Sequence, residues 1–570
     1  MARYGLLSGS QADAVGPAAY ASRLTLVDRL ACCPCTSHQI RKCARLFALP
    51  RTLEHFDLVN IVILHCHFQR GGVTQVVENH VRFLRQCDDV DRVVLVSGPR
   101  SDGLTDKVLS STIQLNLPDF DYDTKRFSAD QNRERADQIA QDLIRLFASE
   151  GLHPDQTVLH WHNHSLGKNT AAPLVIDQLA KQGWSFLLQV HDFAEDNRPE
   201  NLARLIQASG ASSKSELDRF LYPTTGKIRY AALTAGDTET LSSLGCKAMT
   251  LSNSVTLPSE KAPDQETTLA KVRSAFSLPS DARWTLYPVR GIRRKNVGEW
   301  LLLAQLLPDD WYSGLTLQPT TAVEKNSYLR WKELAATVAP KAVFDAGHHE
   351  QISFAENLSA SSNVFSTSVA EGFGMTFLEP WLAGRSVVAR RLPGVTSDFE
   401  KAGVNLSSFY DAIPIPGNKD WIDQCHREIQ SAMDSAIAQL PAGFRPARKL
   451  ASPITDSIDF ALLTPKRQTE VLCRMADDVG FADAVRQRSQ KLVDAIASPP
   501  DHETIHANAG VIADYYSIES VGKRLMKVYE SVLKSDAVMI DTMSNLSAVD
   551  LVNLNRPFYP CRTETLSDES

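Results

Sequence analysis

Glu371-Gly-Phe-Gly-Met-Thr-Phe-Leu-Glu379 sets two carboxylates eight positions apart around a Gly-x-Gly turn. The turn opens into an apolar, helix-like run of Met375, Phe377, Leu378, Trp381 and Leu382. The preceding Asn363-Val-Phe-Ser-Thr reads as a short buried strand. A strand, a glycine turn and a helix start form a cradle for an anion, because free backbone N–H groups and the helix dipole face one spot. A carboxylate does not ligate a phosphate, so Glu371 and Glu379 are expected to bind another part of the same ligand. Sugar hydroxyls are the natural donors to such acids. Phosphate beside hydroxyls points to a nucleotide sugar. In a continuous helix the two acids would lie about 80° apart around the axis, so their convergence requires the first to lie in the turn.

These residues, followed by Ala383-Gly384-Arg-Ser-Val387-Val388-Ala389 and Leu392-Pro393-Gly394, resemble the donor motif of retaining glycosyltransferases of the GT-B fold, and family 4 of those enzymes in particular. The resemblance spans about residues 58–415 and a closing helix. Pro380 departs from the pattern; a proline in the fifth helical position loses a backbone hydrogen bond and is expected to bend the helix. The resemblance implies an α/β, GT-B architecture: two doubly wound Rossmann-like domains facing across a cleft, with C-terminal helical additions. It implies transfer of a hexose from a nucleoside-diphosphate sugar to a hydroxyl acceptor, with retention at the anomeric carbon and no metal or other cofactor. The donor would be a UDP-, GDP- or ADP-sugar, and the acceptor a small polar molecule or a glycan. Glu379 would hold the ribose hydroxyls and Glu371 those of the transferred sugar. Gly372, Phe373, Gly374 and Met375 would present backbone N–H groups.

Charge on the departing phosphates must be neutralised. Val289-Arg290-Gly-Ile-Arg-Arg-Lys295-Asn296 supplies cations just past a strand. By resemblance Arg290 and Lys295 contact the diphosphate; Arg293 and Arg294 are left without a firm assignment. A solvated basic turn is the plain alternative. Gly71-Gly72 resembles the family's glycine loop, where missing side chains let ligand approach the backbone. In Gln189-Val190-His191-Asp192 the resemblance makes His191 a residue that holds the donor sugar near the reacting carbon. No carboxylate is obviously placed as a nucleophile, and by analogy the leaving phosphate takes the acceptor's proton. His160-Trp-His162-Asn-His164 puts three histidines at strand spacing on one face, with His65 and His67 ending a neighbouring strand. A metal cluster is one reading; the preferred one is that His160, His162, His164 and Asn163 line the acceptor pocket and the metal set is empty.

Elsewhere the chain alternates strands and helices. Val59–Leu64, Arg92–Ser97, Thr157–Leu159, Phe186–Val190, Ala231–Thr234 and Ala248–Leu251 read as strands. A second series runs through Trp284–Val289, Leu315–Gln318, Ala342–Phe344, Asn363–Ser366 and Ser386–Ala389. Such alternation predicts parallel βαβ units with the ligand crevice at the carboxyl ends of the strands. The expected division is a poorly ordered leader over 1–55, an acceptor domain over 56–260, and a donor domain with a helical insertion over 261–510. A closing helix over 511–535 crosses back to the first domain, and 536–570 is a mobile tail. Asp514–Leu533 reads as one long amphipathic helix.

A chain of 570 residues, 43% hydrophobic, has material for two or three domains. Its net charge of -7 argues against a general nucleic-acid binder. No apolar run approaches the roughly 18–20 residues that span a bilayer, which leaves peripheral membrane contact open; a cytoplasmic location is expected. Cys32, Cys33, Cys35 and Cys43 crowd the leader without a two-knuckle zinc spacing. Two other readings keep the fold and change the function. A nucleotide-sugar epimerase would turn over the donor alone, and a non-catalytic nucleotide-sugar binder would not turn it over.

Overall fold

In the computed structural model the described residues are 58–256, 264–447, 456–498, 501–534 and 546–563. The proposed leader and its four cysteines lie outside them. The first lobe is a seven-stranded parallel sheet. In chain order its strands are β1 (Val59–Leu64), β2 (Val90–Ser97), β3 (Ile113–Asn116), β4 (Thr157–His162), β5 (Ser185–Val190), β6 (Ile228–Ala232) and β7 (Ala248–Thr250). Their spatial order is β3-β2-β1-β4-β5-β6-β7, so the winding reverses between β1 and β4. The second lobe carries β8 (Arg283–Arg290), β9 (Trp311–Leu317), β10 (Ala342–Val343), β11 (Asn363–Ser366) and β12 (Ser386–Ala389) in the order β10-β9-β8-β11-β12. Its reversal lies between β8 and β11. This is the two-lobe, doubly wound arrangement that the GT-B resemblance implies.

β1 shows why the first sheet sits inside. Its side chains alternate, with Val62 and Leu64 packing into one apolar layer and Ile61 and Ile63 into the opposite one. Both faces of a parallel sheet are covered, so Ile61-Val-Ile63 reads as an unbroken β-branched run. The second layer is completed by Val521, Leu525, Val528, Tyr529 and Val532 of the helix Ile518–Leu533, which crosses back onto the first sheet. In the second lobe the helix Val297–Leu306 is buried nearly all round, including Trp300, Leu301 and Leu302.

Several expectations change. The long helix expected over Asp514–Leu533 is two: His502–Tyr516 ends at Ser517, whose side chain accepts from the Ser520 backbone N–H and starts the next. The strand expected at Ala231–Thr234 ends at Ala232, because Thr234 caps a helix by accepting from Asp237 N at 3.2 Å. β3, an edge strand of alternating burial, was not expected, nor was the antiparallel pair β13 (Pro414–Pro416) and β14 (Ser457–Asp459). Leu392-Pro393-Gly394 forms the start of a helix, Pro393–Lys401. Within the expected tail, 536–570, the structure describes residues 546–563. Helix Ala548–Leu554 packs on the first lobe's core through Ala548, Val549 and Val552, and its first N–H donates to the Asp218 carboxylate.

Candidate active site

Four groups of candidate residues sit where the winding of a sheet reverses, the position at which open α/β sheets leave a crevice, and His191 follows β5, one strand further along. Gly71-Gly72 follow β1, and Asn163 follows β4. Arg293–Lys295 follow β8 as a 3-10 turn, and Glu371 follows β11. The basic turn is fixed from within the lobe. The Lys295 carbonyl accepts from Tyr287 Oη and Thr367 Oγ1, each at 2.9 Å. The Lys295 ammonium is thereby turned to Glu371, with which it forms a buried ion pair. Arg294 Nη1 joins at 2.7 Å from the other carboxylate oxygen.

The charges in this cluster are settled by competition. Burial pushes the Glu371 carboxyl up, but Lys295 and Arg294 outweigh it and hold its pKa at about 2. Burial pulls the Lys295 ammonium down to about 8, with Glu371 opposing and Arg294 adding. Both partners are therefore charged at neutral pH. Arg290 takes no part: it is exposed, and its Nη1 donates to the Gln318 carbonyl at 3.1 Å. Arg294 and Lys295, rather than Arg290, meet Glu371, because the turn after β8 points residue 294 back toward β11.

Gly374 has a φ of 85°, and a Cβ there would meet the Phe377 ring. The run that follows is a 3-10 turn, Met375–Phe377, and then a separate short helix, Glu379–Leu382. Pro380 thus falls in a helix's first turn, where no hydrogen bond is lost, and bends nothing. Phe373 turns its side chain inward against Phe399 and Tyr516, with ring centroids 5.5 and 5.7 Å away. The Glu379 carboxylate has no hydrogen-bond or ion-pair partner among the described residues, and burial alone raises its pKa to about 7. It lines a cavity of about 880 Å³ with Met375 and Phe354 of its own lobe and with Arg70, Arg82 and Lys107 of the first. Glu371 and Arg290 are not among the residues lining that cavity.

The lobes touch at Gly372. A Cβ at this position would lie 2.9 Å from the carbonyl oxygen of His191, the residue just after β5. Asn163, in the left-handed region at φ 55°, accepts with one oxygen from His191 N at 2.7 Å and Asp192 N at 3.1 Å, fixing this strand end. The His191 ring is buried, and its Nε2 shares a hydrogen bond with His162 Nδ1 at 2.8 Å. Burial drives its pKa down to about 3, so the ring is neutral.

The three other candidate histidines are buried within the first lobe. His160 and His162 are 0% exposed. His160 Nδ1 is 2.8 Å from Tyr529 Oη and its Nε2 3.0 Å from Gln189 Oε1. His164 lies beyond the end of β4, with Nε2 2.9 Å from the Leu221 carbonyl. Ring nitrogens of His80, His160 and His162 lie within 4.8 Å of one another. The His160 and His162 rings stack at 4.2 Å with planes 27° apart. Asn163, Gly71 and Gly72 do border a first-lobe cavity, together with Arg70, Tyr122 and Lys168. Arg70 stood beside the glycine loop and signalled itself by adjacency; Tyr122 carried no local signal.

No helix among the described residues is long and apolar enough to cross a membrane. No protein-family model matches the chain. The sequence is similar to mannosylglucosyl-3-phosphoglycerate synthase of Petrotoga mobilis, at 24% identity over 498 residues that cover 83% of this chain and 91% of that protein. Among solved structures it is similar to sucrose-phosphate synthase from Thermosynechococcus elongatus, at 12% identity over 84% of this chain and 100% of that chain, with a TM-score of 0.48. It is also similar to a glycosyltransferase from Rickettsia africae, at 14% identity over 84% and 99% of the two chains, with a TM-score of 0.48. A third is HepE of Anabaena in complex with UDP-glucose, at 12% identity over 83% and 99%, with a TM-score of 0.46.

Proposed function

We propose that this chain is a glycosyltransferase that moves a hexose from a nucleoside-diphosphate sugar to a hydroxyl acceptor, with retention at the anomeric carbon and without a metal. The observation that carries this reading is the meeting of the two lobes, where the Glu371-Gly372 turn lies against the His191 carbonyl. That contact sets the Lys295–Arg294–Glu371 cluster of one lobe opposite the strand ends of the other. The name of the Petrotoga relative, a synthase of a mannosylglucosyl phosphoglycerate, supports glycosyl transfer.

In this reading negative charge grows on the leaving diphosphate. Lys295 and Arg294 offset it together with backbone N–H groups of the Gly372–Met375 turn. Glu379, unpaired at the cavity wall, accepts hydrogen bonds from ribose hydroxyls. His191 is neutral and acts as a hydrogen-bonding partner of the donor sugar rather than as an acid. Asp192, the carboxylate next to it, is held by Arg198 at 2.8 Å, which disfavours it as a nucleophile. Front-side attack, with the leaving phosphate taking the acceptor's proton, fits that arrangement. A cytoplasmic place of action goes with a nucleotide-sugar donor.

A thermal-shift panel of UDP, GDP and ADP tests the donor half, since a ligand that binds only the native state raises its stability. One nucleotide is expected to raise Tm, and Glu379→Ala to abolish the rise. If none does, the transferase reading falls. Donor consumption without any acceptor would mark an epimerase, and binding without turnover a non-catalytic sensor.

A further inference from the structure

Beside the glycine loop the first lobe holds a cavity of about 190 Å³ whose lining includes His67, Arg70, Tyr122, Lys168 and Asp192. Its charges do not balance. Asp192 is held by Arg198 at 2.8 Å. Asp121, adjoining Tyr122, takes both Arg100 nitrogens, one of them at 2.7 Å. Lys168 and Arg70 have no carboxylate partner among the described residues. The Lys168 ammonium lies 5.3 Å from the Tyr122 ring centroid, and burial, with Arg198 and Arg204 nearby, pulls its pKa down. His67 Nδ1 accepts from Gln69 N at 3.2 Å, which leaves Nε2 as a donor.

We propose that this cavity binds the anionic end of the acceptor, a phosphate or carboxylate on a small polyhydroxyl molecule, through Lys168 and Arg70. Glu200 opposes the downward pull on Lys168 from beyond ion-pair distance and is itself held by Arg204 at 2.9 Å. A half-buried ammonium without an ion-pair partner is costly, and an oxyanion ligand removes that cost. A neutral sugar would leave it in place. Asn163 borders the same cavity and also fixes the backbone of His191, so an acid anchored there presents its hydroxyls toward the meeting point of the lobes. The proposal rests on the transfer reading for its meaning as an acceptor site, but not for its binding chemistry.

Calorimetric titration of the full chain with glycerol 3-phosphate, glycerate and glycerol tests it and separates phosphate from carboxylate. At least one of the two acids is expected to bind tenfold or more tightly than glycerol at low salt, and Lys168→Met and Arg70→Gln each to weaken it about tenfold. Arg70 is exposed, so its variant is expected to fold even if that of Lys168 does not. The nucleotide thermal shift should persist in the Lys168→Met protein. Equal binding of glycerol and the acids, or no loss in a folded Arg70→Gln protein, overturns the proposal. Nucleotide binding with no acid preference sinks this subsite and leaves the transfer reading standing. Acid preference without nucleotide binding does the reverse.

Discussion

Glu371, in the turn after β11, and Glu379, eight residues on at the start of a short helix, carry opposite electrostatic fates. Glu371 meets two cations and stays ionised, with its pKa at about 2. Glu379 meets none, and burial raises its carboxyl to about 7. The sign of the resulting pH effect follows. Between its ordinary pKa near 4.5 and about 7 the folded protein keeps the Glu379 proton that the unfolded chain releases, so this group lowers stability as pH rises through that window. Glu379→Gln removes the penalty. It is expected to stabilise the ligand-free protein at pH 8 by about 1–2 kcal/mol, discounted because part of the side chain faces the open cavity, and to do little at pH 4.5. Denaturation midpoints at the two pH values check this; an equal change at both would show that the carboxyl is not buried in the proton-retaining state.

At the scale of elements, the helix Ile518–Leu533 is held to the first sheet by an apolar stripe and by one polar contact, Tyr529 Oη to His160 Nδ1 at 2.8 Å. The contact joins residues 369 positions apart and is buried. Tyr529→Phe keeps the ring and leaves His160 Nδ1 without its donor. The expected cost is about 1–3 kcal/mol, the penalty for a buried polar atom left unpaired, readable as a lower urea midpoint with unchanged slope. A change within a few tenths of a kcal/mol would mean that water replaces the hydroxyl. The break at Ser517 gives this helix its own cap, so it docks independently of His502–Tyr516, which packs through Ile505, Ile512 and Tyr516 on the second lobe's core.

Over the whole molecule, the C-terminal segment ties the lobes together. Arg556 and Arg562 both pair with Asp196 of the first lobe, at 2.6 and 2.7 Å, while the Thr563 carbonyl accepts from Arg293 of the second at 3.1 Å. Burial pushes the Asp196 carboxyl up, yet Arg562 and Arg556 hold it well below the usual carboxylate range. Asp196→Asn leaves Arg562 without a carboxylate while Arg556 keeps Asp237, and is expected to cost roughly 3 kcal/mol. Hydrogen exchange over 546–563 should speed up in that variant; unchanged exchange would refute the anchoring role. Six buried histidines, His65, His80, His160, His162, His164 and His191, all have pKa values lowered by burial. Each is neutral when folded and takes up a proton on unfolding below pH 6.5, so stability falls as pH drops from 6.5 toward 4. Glu195, Asp218 and Glu379, raised to about 7, and Asp237 and Glu299, also raised by burial, act in the opposite sense but are fewer. Tm is expected to fall below pH 6 with net proton uptake on unfolding. A Tm that rises on acidification would contradict the buried histidine set.

The strands, their alternation with helices and the Glu371–Glu379 turn were legible in sequence because each depends on neighbours a few residues apart: apolar period, β-branching and glycine placement. The same locality let Asp514–Leu533 pass for one helix, since a serine cap inside an apolar period leaves the period unbroken. Tertiary structure alone decided which cation meets Glu371, because a 3-10 turn after β8 turns Arg294 and Lys295 inward and leaves Arg290 outside. It alone put His160 and His162 in the interior, since strand spacing tells which residues share a face but not what covers that face. It also decided that residues 546–563 lie against both lobes. Those contacts span hundreds of positions and depend on charge pairing that no local pattern encodes.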